Sequence, residues 1–473
     1  MISKPWRGAA LLLLILALTG CGGGDSSEAV LPQPVAQAPN WNWLAGSRWA
    51  VPAEDLRAYL LPAGATVPLP VNQQVVLDIE SCENGYIVGS ATVQVSSPAI
   101  GELGPLPVEA LLVGSVTPEG VLELSFTTAG GTQTTAVGAM LLEGEPRMQL
   151  QCATGDNARL VHQAALRQIA NDETPPLPDD SSPDAPSDDR WSWLPGTSWY
   201  VPEDYLLAYL VGPPGTDPVP INDQTTYTVT DYDRGYFWGP TSISTSVKTD
   251  VGTIDTAPTD LTMLGCVTSQ GQILLSFSSS DDSTPPTTGY GKMQLLDGEW
   301  TMENQTASGE GVSLIHWAYM EQLQPGQVPP SPDQPLDDTP TSTQWAFLQG
   351  TSWSVPPAYL PAILSGLPGQ PVVEIQDQTR YTIESYANGY FFGQATIQLT
   401  LPDGSTTTQT ASLSGTATPE GALYLLFRPA GGQESSTVGL GRMRSLNGQI
   451  SMENQMSSGL SPRITHWAYM LKD

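Results

Sequence analysis

Polar and apolar residues along this chain alternate with the period of β-strands, and they do so in blocks that recur. In the C-terminal block, Ser352 to Val355 reads as a short strand, and Pro356 opens a short helix with Leu360, Ile363 and Leu364 at helical spacing. Paired β runs follow: Arg380 to Tyr386 and Tyr390 to Leu399 around Ala387-Asn388-Gly389, then Thr408 to Thr416 and Ala422 to Phe427 around Pro419-Glu420-Gly421. Val438 to Leu446 and Gln449 to Ser457 flank Asn447-Gly448, a pair of residues suited to the positive φ angles of a two-residue hairpin, and Arg463 to Leu471 ends the series. About eight antiparallel strands in sequence order predict an all-β, up-and-down barrel with a short helix after its first strand. At that strand number a closed barrel is either filled by side chains or holds one small ligand; an open sandwich is the alternative.

The block occurs three times. Trp41-Asn42-Trp43-Leu44-Ala45-Gly46-Ser47-Arg48-Trp49 returns as Trp191-Ser192-Trp193-Leu194-Pro195-Gly196-Thr197-Ser198-Trp199, and again as Trp345-Ala346-Phe347-Leu348-Gln349-Gly350-Thr351-Ser352-Trp353. A period of roughly 150 residues means tandem globular domains rather than a solenoid. Barrel repeats are therefore assigned to 41–170, 191–323 and 345–473. The segments 171–190 and 324–344 are dense in Pro, Asp, Ser and Thr, and are expected to be disordered, solvated linkers that contribute no contacts. On that reading each repeat folds alone.

The N-terminus carries a different signal. Lys4 and Arg7 precede the apolar run Ala9 to Leu18, which is too short to span a bilayer and suits a secretory signal peptide over residues 1–20. The run ends in Leu18-Thr19-Gly20-Cys21, which resembles the bacterial lipobox. That resemblance implies that Cys21 is lipidated and becomes the mature N-terminus. It also implies outer-membrane sorting, since no Asp stands beside Cys21, with residues 21–40 as a disordered tether.

The barrel blocks carry a second resemblance. Gly350-Thr351-Ser352-Trp353 on the first strand and Arg463 on the last look like the lipocalin and calycin barrels, in which a first-strand Trp packs at the barrel end against a last-strand Arg. The helix after the first strand is similar to the lid of intracellular fatty-acid-binding barrels. Together these imply barrels that carry a small apolar or amphipathic ligand.

Strand parity sorts the faces of the last strand. Leu160, His162, Ala164 and Leu166 match Leu314, His316, Ala318 and Met320, and Ile464, His466, Ala468 and Met470, so this face is expected to be the core. The chain's only three histidines then share one inward position, with Asn304 or Asn454 on the neighbouring strand and Leu150 in the first copy. A His and Asn pair facing a ligand is one reading, and a neutral, hydrogen-bonded core histidine is the other. The opposite face carries Trp317, Tyr319, Trp467 and Tyr469, expected to be outer aromatics. Cys82 and Cys152 lie in the first copy and form a candidate disulfide in an oxidising envelope, although Cys82 counts outward and Cys152 inward; Cys266 reads as an inert small residue.

Charge and missing motifs limit the function. Forty-eight acidic residues against 17 basic ones give a net charge of −31, a field that repels nucleic acid. Only 14% of residues are charged, with 46 Gly and 43 Pro, which fits β modules and Pro-rich connections rather than helical bundles. No phosphate-cradling loop, Cys-x-x-Cys or Gly-x-Ser-x-Gly pattern is present, and one His per repeat is too few for a metal cage, so no cofactor, metal or catalytic set is expected. Two functions remain: a non-catalytic envelope lipoprotein whose barrels bind a small apolar or amphipathic ligand, or a structural repeat protein whose filled barrels, spaced as beads, present outer aromatics to an envelope protein.

Overall fold

The computed structural model describes residues 41–97, 107–155, 158–180, 189–249, 252–255, 258–279, 287–308, 312–333, 342–430, 437–458 and 462–473. The signal peptide, Cys21 and the tether lie outside the described residues. Each repeat is a closed, eight-stranded antiparallel barrel. In the third, the strands Val373–Ala387, Tyr390–Thr400, Thr406–Ala417, Ala422–Pro429, Thr437–Leu446, Gln449–Ser457 and Arg463–Lys472 pair in sequence order. The remaining stave is split: Thr351–Ser354 and Pro361–Ser365 lie end to end, both paired with Val373–Ala387 on one side and Arg463–Lys472 on the other. The second repeat adds Gly252–Asp255, paired with Tyr236–Thr249.

The helix expected after the first strand is a single 3-10 turn, Ala53–Asp55, Glu203–Tyr205 or Pro357–Tyr359, that bridges this split. Leu360, Ile363 and Leu364, read as helical, belong to the turn's end and to the strand Pro361–Ser365. A side-chain amide repairs the stave beside the gap. Val51 N donates to Gln74 Oε1 at 2.9 Å while Gln74 Nε2 donates to Val51 O at 2.9 Å, and Gln224 does the same for Val201.

One end of each barrel is stopped by tryptophan. Trp41, Trp191 and Trp345 are buried and donate from Nε1 to the carbonyls of Thr117, Thr268 and Thr418 at 2.8, 2.9 and 2.7 Å. Trp49, Trp199 and Trp353 donate to the hydroxyls of Ser47, Thr197 and Thr351. The Trp and Arg contact implied by the lipocalin resemblance is not formed. Trp353 stands opposite Lys472 at the end of the last strand, whereas Arg463 begins that strand and bonds to Gln133 of the first barrel.

The repeats are not separate beads. They pack in a closed ring, first on second, second on third and third on first. Tyr59, Leu61 and Val161 meet Tyr236, Trp238 and Leu264; Val211, Ile315, Trp317 and Tyr319 meet Tyr390, Phe392 and Leu426; Ile363, Trp467 and Tyr469 meet Tyr86 and Val113. The aromatics expected on an outer face are on that face, but a neighbouring barrel covers them. One tyrosine clasps each joint. Tyr236 Oη donates to Arg57 O at 2.7 Å and accepts from Gln163 N at 2.8 Å; Tyr390 Oη does so with Leu207 O and Trp317 N, and Tyr86 Oη with Pro361 O and Trp467 N. At Gly85 and Gly389 a turn with φ of 81° and 85° leaves room for the next indole, since an added Cβ would fall 2.7 Å from Trp467 Nε1 and 2.6 Å from Trp317 Nε1.

The described parts of the linkers also depart from expectation. Gln74 Nε2 donates to Pro176 O and Asn72 Nδ2 to Pro178 O, while Gln224 Nε2 and Asn222 Nδ2 hold Pro330 O and Pro332 O. Residues 171–180 and 324–333 are thus laid against their barrels through backbone carbonyls, which proline retains when it loses its N–H. Residues 181–188 and 334–341 lie outside the described residues.

Candidate functional site

The three histidines do share one inward position, and each meets the 3-10 turn across the split stave. His316 Nε2 lies 2.9 Å from Tyr205 O, His466 Nε2 2.8 Å from Tyr359 O and His162 Nε2 3.2 Å from Asp55 O. Their second nitrogens divide the copies. Nδ1 of His316 is 3.0 Å from Asp223 Oδ2, and Nδ1 of His466 is 3.0 Å from Asp377 Oδ2. With oxygen acceptors at both nitrogens, each imidazole is fully bonded only when doubly protonated. Burial pushes both below the ordinary histidine value, but the adjoining carboxylates outweigh it and the net shift is upward. His162 has Gln73 where the others have aspartate, and burial lowers it to about 4. In the first copy burial thus favours a neutral histidine tied to the 3-10 turn, while in the second and third an aspartate facing Nδ1 favours the protonated ring.

Asn304 does not bond to His316. Its Nδ2 donates to Tyr227 Oη at 2.6 Å, and both residues join His316, Asp223 and Thr225 on the wall of a cavity of about 200 Å³ in the second barrel. Ile243, Leu261, Phe277 and Leu314 supply its apolar side. Thr225 Oγ1 donates to Asp223 Oδ1 at 2.9 Å, so that carboxylate is held by two neighbours. In the third barrel Asn454 Nδ2 turns to Met470 Sδ at 3.3 Å, and Asn454 Oδ1 and Tyr381 Oη are buried without a partner. A cavity of about 360 Å³ there is lined by Asp377, Ile397, Leu399, Phe427, Met456 and Ile464, while His466 and Asn454 do not line it.

Parity along one strand would have found the missing members. Asp223, Thr225 and Tyr227 alternate inward as Asp377, Thr379 and Tyr381 do, and the first copy has Gln73, Val75 and Leu77 at those positions. The aspartates occur in the two copies that also carry Asn304 and Asn454, whereas Leu150 fills that position in the first barrel.

The candidate disulfide is not formed: Cys82, Cys152 and Cys266 are free thiols. Cys82 does face inward, because a register shift between Ile79 and Ser81 reverses the alternation before it reaches the turn. The two sulfurs stay apart because Cys82 sits beside the Asn84-Gly85 turn, opposite Ile87, whereas Cys152 lies between Ala136 and His162. Burial pushes their thiols up to about 11 and about 12, which leaves them protonated.

A further cavity, of about 410 Å³, forms where the three barrels meet. Gln151, Gln305 and Gln455 cross it at equivalent positions, each donating Nε2 to the next barrel around the ring. Lys292, Arg442 and Arg444 line it with Glu303 and Glu453; Arg444 Nε bonds to Glu453 Oε2 at 2.7 Å. Burial raises Glu303 to about 7 even though Lys292 lies 4.0 Å away. Among the described residues no three His, Cys, Asp or Glu side chains gather as a metal site would need. No protein-family model matches this chain, and no curated protein matches it, so the functional reading rests on sequence and geometry.

Proposed function

We propose that this chain is a non-catalytic bacterial envelope lipoprotein that binds a small amphipathic ligand inside its barrels and is held at the outer membrane through lipid on Cys21. The observation that carries the binding reading is the second-barrel cavity, one wall of which is the His316, Asp223, Tyr227 and Asn304 group and the other Ile243, Leu261, Phe277 and Leu314. A concave, mostly apolar space with a few convergent polar groups is the usual form of a small-molecule site. Native mass spectrometry of the full chain purified from its own host tests this: a small molecule should travel with the protein, and a chain that carries none and takes up none sinks the reading.

The anchor rests on Leu18-Thr19-Gly20-Cys21 after the apolar run. Cys21→Ser should move the protein out of the outer-membrane fraction, and a variant that still sediments with that membrane overturns it. A structural envelope role is the second reading, favoured by the first barrel, where Leu77 and Leu150 occupy the positions of Tyr227 and Asn304 and join its apolar core. Any partner in that role must dock elsewhere than on Trp317, Tyr319, Trp467 and Tyr469, which the ring already buries.

A further inference from the structure

We infer that the second-barrel cavity selects an uncharged amphiphile whose polar head both donates and accepts a hydrogen bond, an alcohol or a carboxamide, and rejects fatty-acid anions. This rests on the ligand-binding reading above and sharpens it. Thr259, Thr287 and Thr306 add hydroxyls to this wall, and in the group around His316 the internal hydrogen bonds decide which atoms stay available. Both ring nitrogens of His316 are taken, by Asp223 Oδ2 and Tyr205 O, and Asp223 Oδ1 is taken by Thr225. Tyr227 and Asn304 hold each other by one bond at 2.6 Å, and Asn304 Oδ1 is buried without a partner. As the amide stands, one acceptor (Asn304 Oδ1) and two donors (the phenol proton of Tyr227 and the second amide hydrogen of Asn304) remain. Turned the other way, the amide would accept from the phenol and leave its own N–H₂ as donor and the phenol oxygen as acceptor. In either orientation the pair offers donors and an acceptor side by side, the complement of a hydroxyl or carboxamide.

Charge excludes the anion. Among the described residues no Lys or Arg lines this cavity, and its one histidine, His316, has its Nδ1 turned to Asp223 Oδ2 at 3.0 Å. A carboxylate would give up its hydration to meet a second carboxylate and an open amide oxygen, with no lysine or arginine among the described lining residues to compensate. An ammonium head would find Asp223 already paired and leave its extra donors unmet. The third barrel repeats the pair at equivalent positions, with Tyr381 Oη and Asn454 Oδ1 both buried and unpartnered. The first barrel has Leu77 and Leu150 there. Size limits the ligand as well: at roughly 30 Å³ per water, the space corresponds to about seven waters, which suits a short chain.

The test is binding of hexan-1-ol, hexanamide, hexanoate and hexylamine to the full chain, followed by calorimetry and native mass spectrometry. The alcohol and amide should bind at least tenfold more tightly than the acid or the amine. Tyr227→Phe, which keeps the ring and removes the hydroxyl, and Asn304→Leu, which installs the residue found in the first copy, should each abolish the preference at that site while thermal unfolding confirms a folded chain. Hexanoate or hexylamine binding as tightly as hexan-1-ol overturns the inference and leaves the binding reading standing. A preference that survives in both variants overturns the assignment to this pair. Failure of all four probes, with no molecule co-purifying, removes the binding reading and the inference together.

Discussion

At the scale of single residues, the three histidines occupy one position and behave in two ways because of one neighbour. His316 and His466 face aspartate, and His162 faces Gln73. Their contributions to stability therefore run in opposite directions with pH. The unfolded chain protonates His162 near 6.5 but the folded barrel only near 4, so acidification through that interval favours unfolding of the first barrel, at up to about 1.4 kcal/mol per unit of pH. His316 and His466 are raised above 6.5, so their stabilisation is fully present below 6.5 and is lost as pH rises through their folded values. Since these are the only histidines, an NMR titration of the imidazole carbons should show one ring that stays neutral at pH 5.5 and two that stay charged above 6.5. Asp223→Asn should bring His316 below 6.5 and cost about 3 to 5 kcal/mol, the usual penalty for unpairing a buried ion pair. Three rings titrating together would show that burial and pairing have been misassigned.

At the scale of elements, the split stave is where sequence and structure part. Strands with one face on the core and one less buried were legible from their alternation: Val373–Ala387 alternates buried and less buried positions along most of its length, and the Asn447-Gly448 turn lies where a hairpin requires it. Pro361–Ser365 was not legible, because its inner side meets the core and its outer side meets the first barrel, leaving Ala362 and Ile363 both buried and no period of two to read. The same two-sided burial makes Arg463–Lys472 apolar on both faces, so the core face and the histidines could be assigned but the cover on the other face could not. Asp223 and Asp377 were missed for a related reason, since a charged residue on an inward position looks like a break in the pattern until its partner histidine is known. The glutamine that repairs the gap gives a test of this element. Gln74→Leu should leave Val51 O unpaired and release Pro176, costing about 1 to 3 kcal/mol, and proteases should then cut within 171–180 more readily than in the parent. Unchanged cleavage would mean that the glutamine bracket does not hold that segment.

At the scale of the whole molecule, three barrels in a ring make an assembly with the connectivity of one chain. Each barrel offers two different faces, the split stave with the last strand on one side and, in the first barrel, Tyr86–Ser96 with Val108–Val116, or their counterparts in the others, on the other side, and each joint sets one kind against the other. Such head-to-tail contacts close only when the rotation per step completes a circle, and the third barrel packed on the first shows that it does. The joints compensate for one another's substitutions: Arg159 reaches Ser276 across the first, whereas in the second the repeat has Ser313 and the arginine comes from the opposite side as Arg428. Closure adds a cost to each repeat standing alone, because an isolated first barrel would expose Tyr59, Val161, Tyr86 and Val113, all of them buried in the ring. The consequence can be measured without changing a residue of the barrels. Limited proteolysis should nick the connections within 181–188 and 334–341, since the flanking residues on the barrel side are pinned by Gln74 and Gln224. The three fragments should then co-elute at the size of the intact chain and dissociate only when the barrels unfold, because the joints are apolar aromatic contacts fastened by tyrosine hydroxyls. Tyr390→Phe, which removes the hydroxyl that bonds Leu207 O and Trp317 N, should loosen the second joint by about 1 to 3 kcal/mol and release the third fragment at lower denaturant. Fragments that separate as soon as the connections are cut would show three independent barrels, and the cavity at their meeting point would go with the ring.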